Sequence, residues 1–129
     1  METKVVRKNI RLKDFDYTSN EAYFITIVVD DRSNYFGTIN KDKVKLNKYG
    51  EYLESMLIGL PKIYTNTEVY DYVIMPNHLH AVILLQNSEE RKQSLDYIIG
   101  RFKSYAANEL IKFGLTGFKW QTRFLGYNN

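Results

Sequence analysis

The run Tyr72-Val73-Ile74-Met75-Pro76-Asn77-His78-Leu79-His80-Ala81-Val82-Ile83-Leu84-Leu85 decides how this chain is read. Residues 69 to 75 are rich in β-branched and aromatic types and predict a strand. Met75-Pro76-Asn77 predicts a turn, and residues 78 to 85 a second arm, so the whole is an antiparallel hairpin. Side chains two apart on a strand share a face. His78, His80, Val82 and Leu84 therefore fall on one face and Leu79, Ala81, Ile83 and Leu85 on the other. Both faces turn apolar along the arm, which predicts a central strand. The chain has 2 histidines, and both stand at the start of this strand on the same face. Two imidazoles side by side can hold one metal ion or move a proton. They do not saturate any common ion, so a third ligand, water or substrate must complete the shell. Imidazole favours zinc, copper, iron or nickel, whereas a phosphoryl substrate would bring oxygens that suit magnesium or manganese. The same pair is also readable as two satisfied polar residues at a strand end.

Working outward, residues 22 to 30 alternate with Tyr23, Ile25, Ile27 and Val29 on one face, a strand buried on at least one side. After a polar loop, Asn47 can cap a helix with Tyr49, Tyr52, Leu53, Met56, Leu57 and Leu60 at helical spacing, and Pro61 is expected to stop it. Ser94 can cap a second helix with Leu95, Ile98, Ile99, Phe102, Ala106 and Leu110 on one side, ending near Gly114. Phe118 to Phe124 is a candidate last strand. The order strand, helix, strand, strand, helix, strand predicts an α+β fold of the ferredoxin-like or RRM-like kind. This is a split βαβ sandwich, an antiparallel sheet with two helices on one face. Such a fold hosts many functions, so the site has to decide.

At 129 residues the chain predicts one domain. Apolar residues at 44% and charged residues at 26% match an ordinary globular protein and argue against disorder. The absence of cysteine excludes disulfides, thiolate chemistry and cysteine-type zinc sites. Met1-Glu2-Thr3-Lys4 lacks the apolar stretch of a signal peptide and no run is long enough to span a membrane, so a cytoplasmic protein without membrane partners is expected. The net charge of +3 is mild, but basic residues cluster. Arg7, Lys8, Arg11 and Lys13 lie in an N-terminal arm of residues 1 to 20, Lys41, Lys43, Lys45 and Lys48 in a loop, and Arg101, Lys103, Lys112, Lys119 and Arg123 in the last third. Each cluster is readable as a solvated face or as a contact for a polyanion.

Met75-Pro76-Asn77-His78-Leu79-His80, with its histidine, hydrophobic, histidine pattern, resembles the signature of the single-tyrosine HUH transposases, in particular the REP-associated tyrosine transposase group. The likeness runs through most of the chain. Arg7 to Tyr17 is similar to the basic first segment of that family, Tyr23-Phe24-Ile25-Thr26 to its first strand, and Phe36-Gly37 with Leu46 to Gly50 to the region before its first helix. Ile98 to Ser104 is similar to its basic second helix and Trp120-Gln121-Thr122-Arg123-Phe124 to its Trp-Gln landmark.

The resemblance implies DNA transposition. His78 and His80 would hold a divalent ion, Mg2+ or Mn2+, at a phosphodiester of single-stranded or hairpin DNA. A tyrosine would attack to leave a 5′-phosphotyrosine. Arg11, Arg101, Lys103, Trp120, Gln121 and Arg123 would contact the DNA, and a homodimer is expected. In that family the nucleophile lies on a helix beyond the Trp-Gln landmark, and nothing after Trp120 matches that segment. A C-terminally truncated domain without its catalytic helix is expected, with apolar surface exposed near Trp120 and Phe124. Tyr127 stands too close to the landmark to serve, and Tyr105, beside Ser104 and near Lys103, is the one long-shot nucleophile. A second reading is a form that binds structured single-stranded DNA without cutting it. A third is an unrelated metal-dependent or structural module of the same fold.

Overall fold

A computed structural model describes residues 21–86, 93–122 and 125–128. Four strands form one antiparallel sheet: β1 (Glu21–Val28), β4 (Thr67–Met75), β5 (His78–Leu85) and β6 (Leu125–Asn128), in the order β4-β5-β1-β6. The helices are α1 (Lys48–Ile58), the short α2 (Leu60–Ile63) and α3 (Leu95–Phe113). A separate hairpin, β2 (Gly37–Asn40) with β3 (Lys43–Leu46), is inserted between β1 and α1. This is the expected split βαβ sandwich with one addition.

One face of the sheet makes the core. Ile25, Ile27 and Val29 join Leu79, Ala81, Ile83 and Leu85 against Leu53 and Leu57 of α1 and Ile98, Ile99, Phe102, Ala106 and Leu110 of α3. Each large aliphatic side chain buried there contributes about 1.5–3 kcal/mol. β5 is central, as its two apolar faces require, and its register sets Thr26 opposite His80 and Val28 opposite His78. His78, His80 and Thr26 consequently lie on the sheet face away from the helices.

Both predicted caps form. Asn47 Oδ1 accepts from the Tyr49 and Gly50 N–H groups, and Ser94 Oγ accepts from the Tyr97 N–H. Gly114 follows α3 as its C-cap, with φ 134°. Three expectations need correction. The first helix breaks at Gly59, and Pro61 sits in the opening turn of α2, where its missing N–H costs nothing. The stretch read as a polar loop contains the β2–β3 hairpin, whose two central residues, Lys41 and Asp42, have φ of 52° and 65°. That is the geometry of a type I′ turn, reached without the usual Asn-Gly, which is why the sequence did not announce it. The last described strand is Leu125–Asn128 and does not start at Phe118: among the described residues the segment after α3 meets β1 at an isolated Val29–Trp120 bridge and pairs regularly over Leu125–Asn128.

The hairpin root is tightly seated. A Cβ on Gly50 would stand 2.2 Å from the Phe36 carbonyl oxygen, and one on Gly37 2.3 Å from that of Lys45, so both close approaches require glycine. Trp120 is not on exposed apolar surface as expected. It is 9% exposed and packs against Phe36 and Phe118, at ring-centroid distances of 5.7 and 4.9 Å.

Candidate metal centre

The two histidines begin β5 directly after the turn, and their imidazoles converge. His78 Nε2 and His80 Nε2 are 3.1 Å apart, with ring centroids 4.7 Å apart and planes at 83°. Each ring is held from behind. His78 Nδ1 lies 2.7 Å from Asn77 Oδ1, and His80 Nδ1 2.8 Å from Thr26 Oγ1. His80 is 7% exposed, and His78 is half-buried. Burial pushes the His78 imidazole below its ordinary value, which keeps it neutral and able to donate a lone pair.

Asn77 fixes one tautomer. Its Nδ2 donates to the Arg32 carbonyl at 3.2 Å, so its Oδ1 is the atom that faces His78 and must accept from His78 Nδ1–H. His78 Nε2 then carries a lone pair aimed at His80. Thr26 is less restrictive, because a hydroxyl both donates and accepts. With no ion bound, His80 can donate Nε2–H to His78 while its Nδ1 accepts from Thr26. With an ion bound, His80 Nδ1–H donates to Thr26 and both Nε2 atoms offer lone pairs. Two nitrogens each about 2.1 Å from one ion stand roughly 3.0–3.4 Å apart for octahedral or tetrahedral angles. The observed separation fits that range, and such outer partners are what orient metal-ligating histidines. Among the described residues no cluster of three or more His, Cys, Asp or Glu surrounds the pair, so the remaining ligands would be water or substrate oxygens.

The turn and the inserted hairpin frame a cleft beside His78 of about 430 Å3, lined by Asn34, Thr38, Ile39, Met75, Pro76, Asn77 and His78. A smaller cavity of about 60 Å3 adjoins His80, with Phe24, Asp71, Val73 and Val82 in its wall.

The other residues singled out from the sequence are not gathered here. Arg101 and Tyr105 lie on α3 and line a cleft with Met56, Leu60, Tyr64 and Phe102, so they belong to the helix layer on the far side of the sheet from the histidines. Lys103 Nζ donates to the carbonyls of Gln121 and Thr122, at 2.6 and 3.2 Å, and burial pushes its ammonium below the usual lysine range. Trp120 Nε1 donates to the Lys103 carbonyl at 3.2 Å, tying the same segment to α3. Gln121 donates its N–H to the carbonyl of Val28, the β1 residue directly opposite His78, from the side of β1 away from β5. Arg11, the rest of the basic arm, Arg123 and Phe124 fall outside the described residues. The hydroxyls of Tyr35, Tyr52 and Tyr72 are bonded to Asp31, Glu109 and Glu54, and that of Tyr23 to Glu21. Sequence reasoning missed Thr26 and Asn77. Asn77 could have been found as the turn residue beside His78, while Thr26 is visible only once the β1–β5 register is known.

No family model matches the chain. An uncharacterized protein of Haemophilus influenzae is 38% identical over 77 residues, which are 60% of this chain and 43% of the relative. The chain thus spans less than half the length of that curated relative. Among solved structures, a candidate transposase of Deinococcus radiodurans R1 superposes with a TM-score of 0.63 at 11% identity, over 90% of this chain and 84% of the other. A REP-associated tyrosine transposase bound to a REP hairpin superposes with a TM-score of 0.61 at 17% identity, over 93% of this chain and 62% of the other. The fold is therefore one that transposases share.

Proposed function

We propose that this chain is a DNA-processing domain of the single-tyrosine HUH transposase kind, which binds single-stranded or hairpin DNA and acts in DNA transposition in the cytoplasm. The observation that carries the reading is the imidazole pair. The two Nε2 atoms stand 3.1 Å apart, each ring is oriented by a separate oxygen, and both lie on the sheet face away from α1 and α3, in a fold that transposases share. His78 and His80 would hold a divalent ion, magnesium or manganese. Such an ion, when bound, supplies positive charge at the non-bridging oxygens of a phosphodiester and at its leaving oxygen.

The chain's own part is orientation. Asn77 and Thr26 fix the two rings, β5 and β1 fix the distance between them, and burial keeps His78 neutral. In the reaction a tyrosine oxygen bonds to phosphorus as the bond from phosphorus to the 3′ oxygen breaks, giving a 5′-phosphotyrosine and a free 3′ hydroxyl. No tyrosine of this chain is assigned that role. Tyr105, on the helix layer, is separated from the pair by the sheet. That placement favours a second reading, in which the chain by itself binds structured single-stranded DNA without cutting it.

The test incubates the protein with end-labelled hairpin and single-stranded DNA and manganese, and runs native and denaturing gels. Retarded mobility on the native gel supports the DNA reading. A covalent adduct lost in His78→Ala supports strand cleavage, and retardation without an adduct supports the second reading. Absence of both refutes the proposal.

A further inference from the structure

We propose that the inserted β2–β3 hairpin is a basic arm that carries single-stranded DNA away from the histidine pair, with Lys43 and Lys45 on successive phosphates. This rests on the DNA reading above and adds to it a binding surface outside the residues that the family resemblance assigns to DNA.

Three observations support it. First, the hairpin is anchored to the turn that presents the histidines. The Phe36 N–H donates to the Pro76 carbonyl at 3.0 Å, the Val29 N–H to the Asn77 carbonyl at 3.0 Å, and Asn77 Nδ2 to the Arg32 carbonyl at 3.2 Å. The arm therefore keeps a fixed position relative to His78.

Second, a continuous surface leads from the pair onto the arm. Thr38 and Ile39 form one wall of the 430 Å3 cleft whose other wall includes Pro76, Asn77 and His78. Ile39, which alternates to the other face of the hairpin from Thr38, is 48% exposed and gives a small apolar surface at the cleft on which a base can lie. From Thr38 the register continues directly to charge. Thr38 pairs with Lys45 and Asn40 with Lys43, which puts Thr38, Asn40, Lys43 and Lys45 on one exposed face. Two lysines two apart on a strand project about 6.8 Å from each other, comparable to successive phosphates of an extended single strand.

Third, the charge is concentrated and uncompensated. Residues 37 to 48 contain four lysines and one aspartate, a net positive charge equal to that of the whole chain, +3. Among the described residues, Lys41, Lys43 and Lys45 enter no ion pair. The tip also keeps two consecutive non-glycine residues at positive φ, Lys41 and Asp42. Left-handed backbone costs roughly 1–2 kcal/mol for such residues, a conformation that persists where the surrounding structure or a function demands it.

The experiment measures binding of a labelled 20-nucleotide single-stranded DNA across a salt series for three proteins. These are the wild type, Lys43→Ala/Lys45→Ala, and Lys62→Ala/Lys112→Ala, the last removing the same charge from the helix layer. Losing two phosphate contacts on a single strand lowers the slope of log K against log salt by about 1.4, which amounts to roughly 25-fold at 0.1 M salt relative to 1 M. The expected result is that loss in the hairpin variant, and a slope within about 0.3 of wild type in the helix-layer variant. Equal slopes in the two variants overturn the arm while leaving the DNA reading intact. A wild-type protein that binds no single-stranded DNA even at low salt overturns both. All four lysines are exposed or at an exposed ion pair, and matching thermal melts of the three proteins ensure that the comparison reads binding.

Discussion

Thr26→Val is the sharpest probe of the proposed metal site, because it changes one atom type and little shape. Valine keeps the β-branched outline suited to β1, so the strand itself is preserved. What goes is Oγ1, 2.8 Å from His80 Nδ1 in a position where His80 is 7% exposed. The lost hydrogen bond costs about 1 kcal/mol, or roughly 4 °C in Tm for a domain of this size. The effect on metal binding is separate and larger. Without an acceptor behind it, His80 Nδ1–H is no longer favoured, so the ring takes the tautomer with its proton on Nε2. That nitrogen then donates to His78 Nε2 and has no lone pair for an ion. Removing such an outer partner typically weakens binding 10- to 100-fold, about 1.4–2.7 kcal/mol. Titration calorimetry with Mn2+ on wild type, Thr26→Val and His80→Ala reads this directly. The expected order of affinity is wild type, then Thr26→Val, then His80→Ala. A Thr26→Val protein that melts within a few degrees of wild type but binds Mn2+ equally well would refute the tautomer argument, and equal binding by His80→Ala would refute the site.

Three further outcomes are expected. Because burial holds the His78 pKa below its ordinary 6.5, the unfolded chain takes up a proton at a higher pH than the native one. Stability is therefore whole above about pH 6.5 and falls as the pH drops from there through the folded value. Urea midpoints across that window show the decline, and His78→Gln reduces it; an identical decline in the variant counts against the assignment. Gly50→Ala forces a Cβ to within 2.2 Å of the Phe36 oxygen and costs about 1–3 kcal/mol, read as a lowered urea midpoint, whereas an unchanged midpoint would show that the hairpin root yields freely. Lys103→Met keeps the aliphatic stem but removes both bonds to the Gln121 and Thr122 carbonyls, with a loss of about 1.5–3 kcal/mol. If that variant instead loses DNA affinity at full stability, Lys103 contacts the ligand directly.

Periodicity carried most of the architecture. The run behind β1 alternates, those behind β4 and β5 are β-branched, aromatic or apolar over eight or nine residues, and the stripes of α1 and α3 come with Asn47 and Ser94 as caps, so local signals and tertiary demand agree. The hairpin was illegible because four-residue arms give too short an alternation and the tip lacks glycine. The last strand was misplaced because Phe118 and Trp120 are apolar for another reason, as core rings stacked with Phe36. At the candidate site, the convergence of His78 and His80 was legible from spacing, whereas Thr26 is 54 residues from its partner and depends on register. Lys103 illustrates the converse: a basic residue on an exposed-looking helix face is engaged with backbone carbonyls that no local pattern reveals.

The sheet is unequal in strength from one side to the other. β4, β5 and β1 pair over eight or nine residues, but among the described residues β6 pairs over four, with β1, and its Leu125 meets Thr26 in the register. A margin held by so few bonds is where native-state opening is cheapest, since local opening free energies scale with the contacts broken. Each such opening bares the outer backbone of β1 at the residue that holds His80 from behind. Amide exchange at Thr26 would thus report how long the site keeps its form. Anything that settles on β6, a further stretch of polypeptide or a second molecule, would lengthen that lifetime without touching either imidazole.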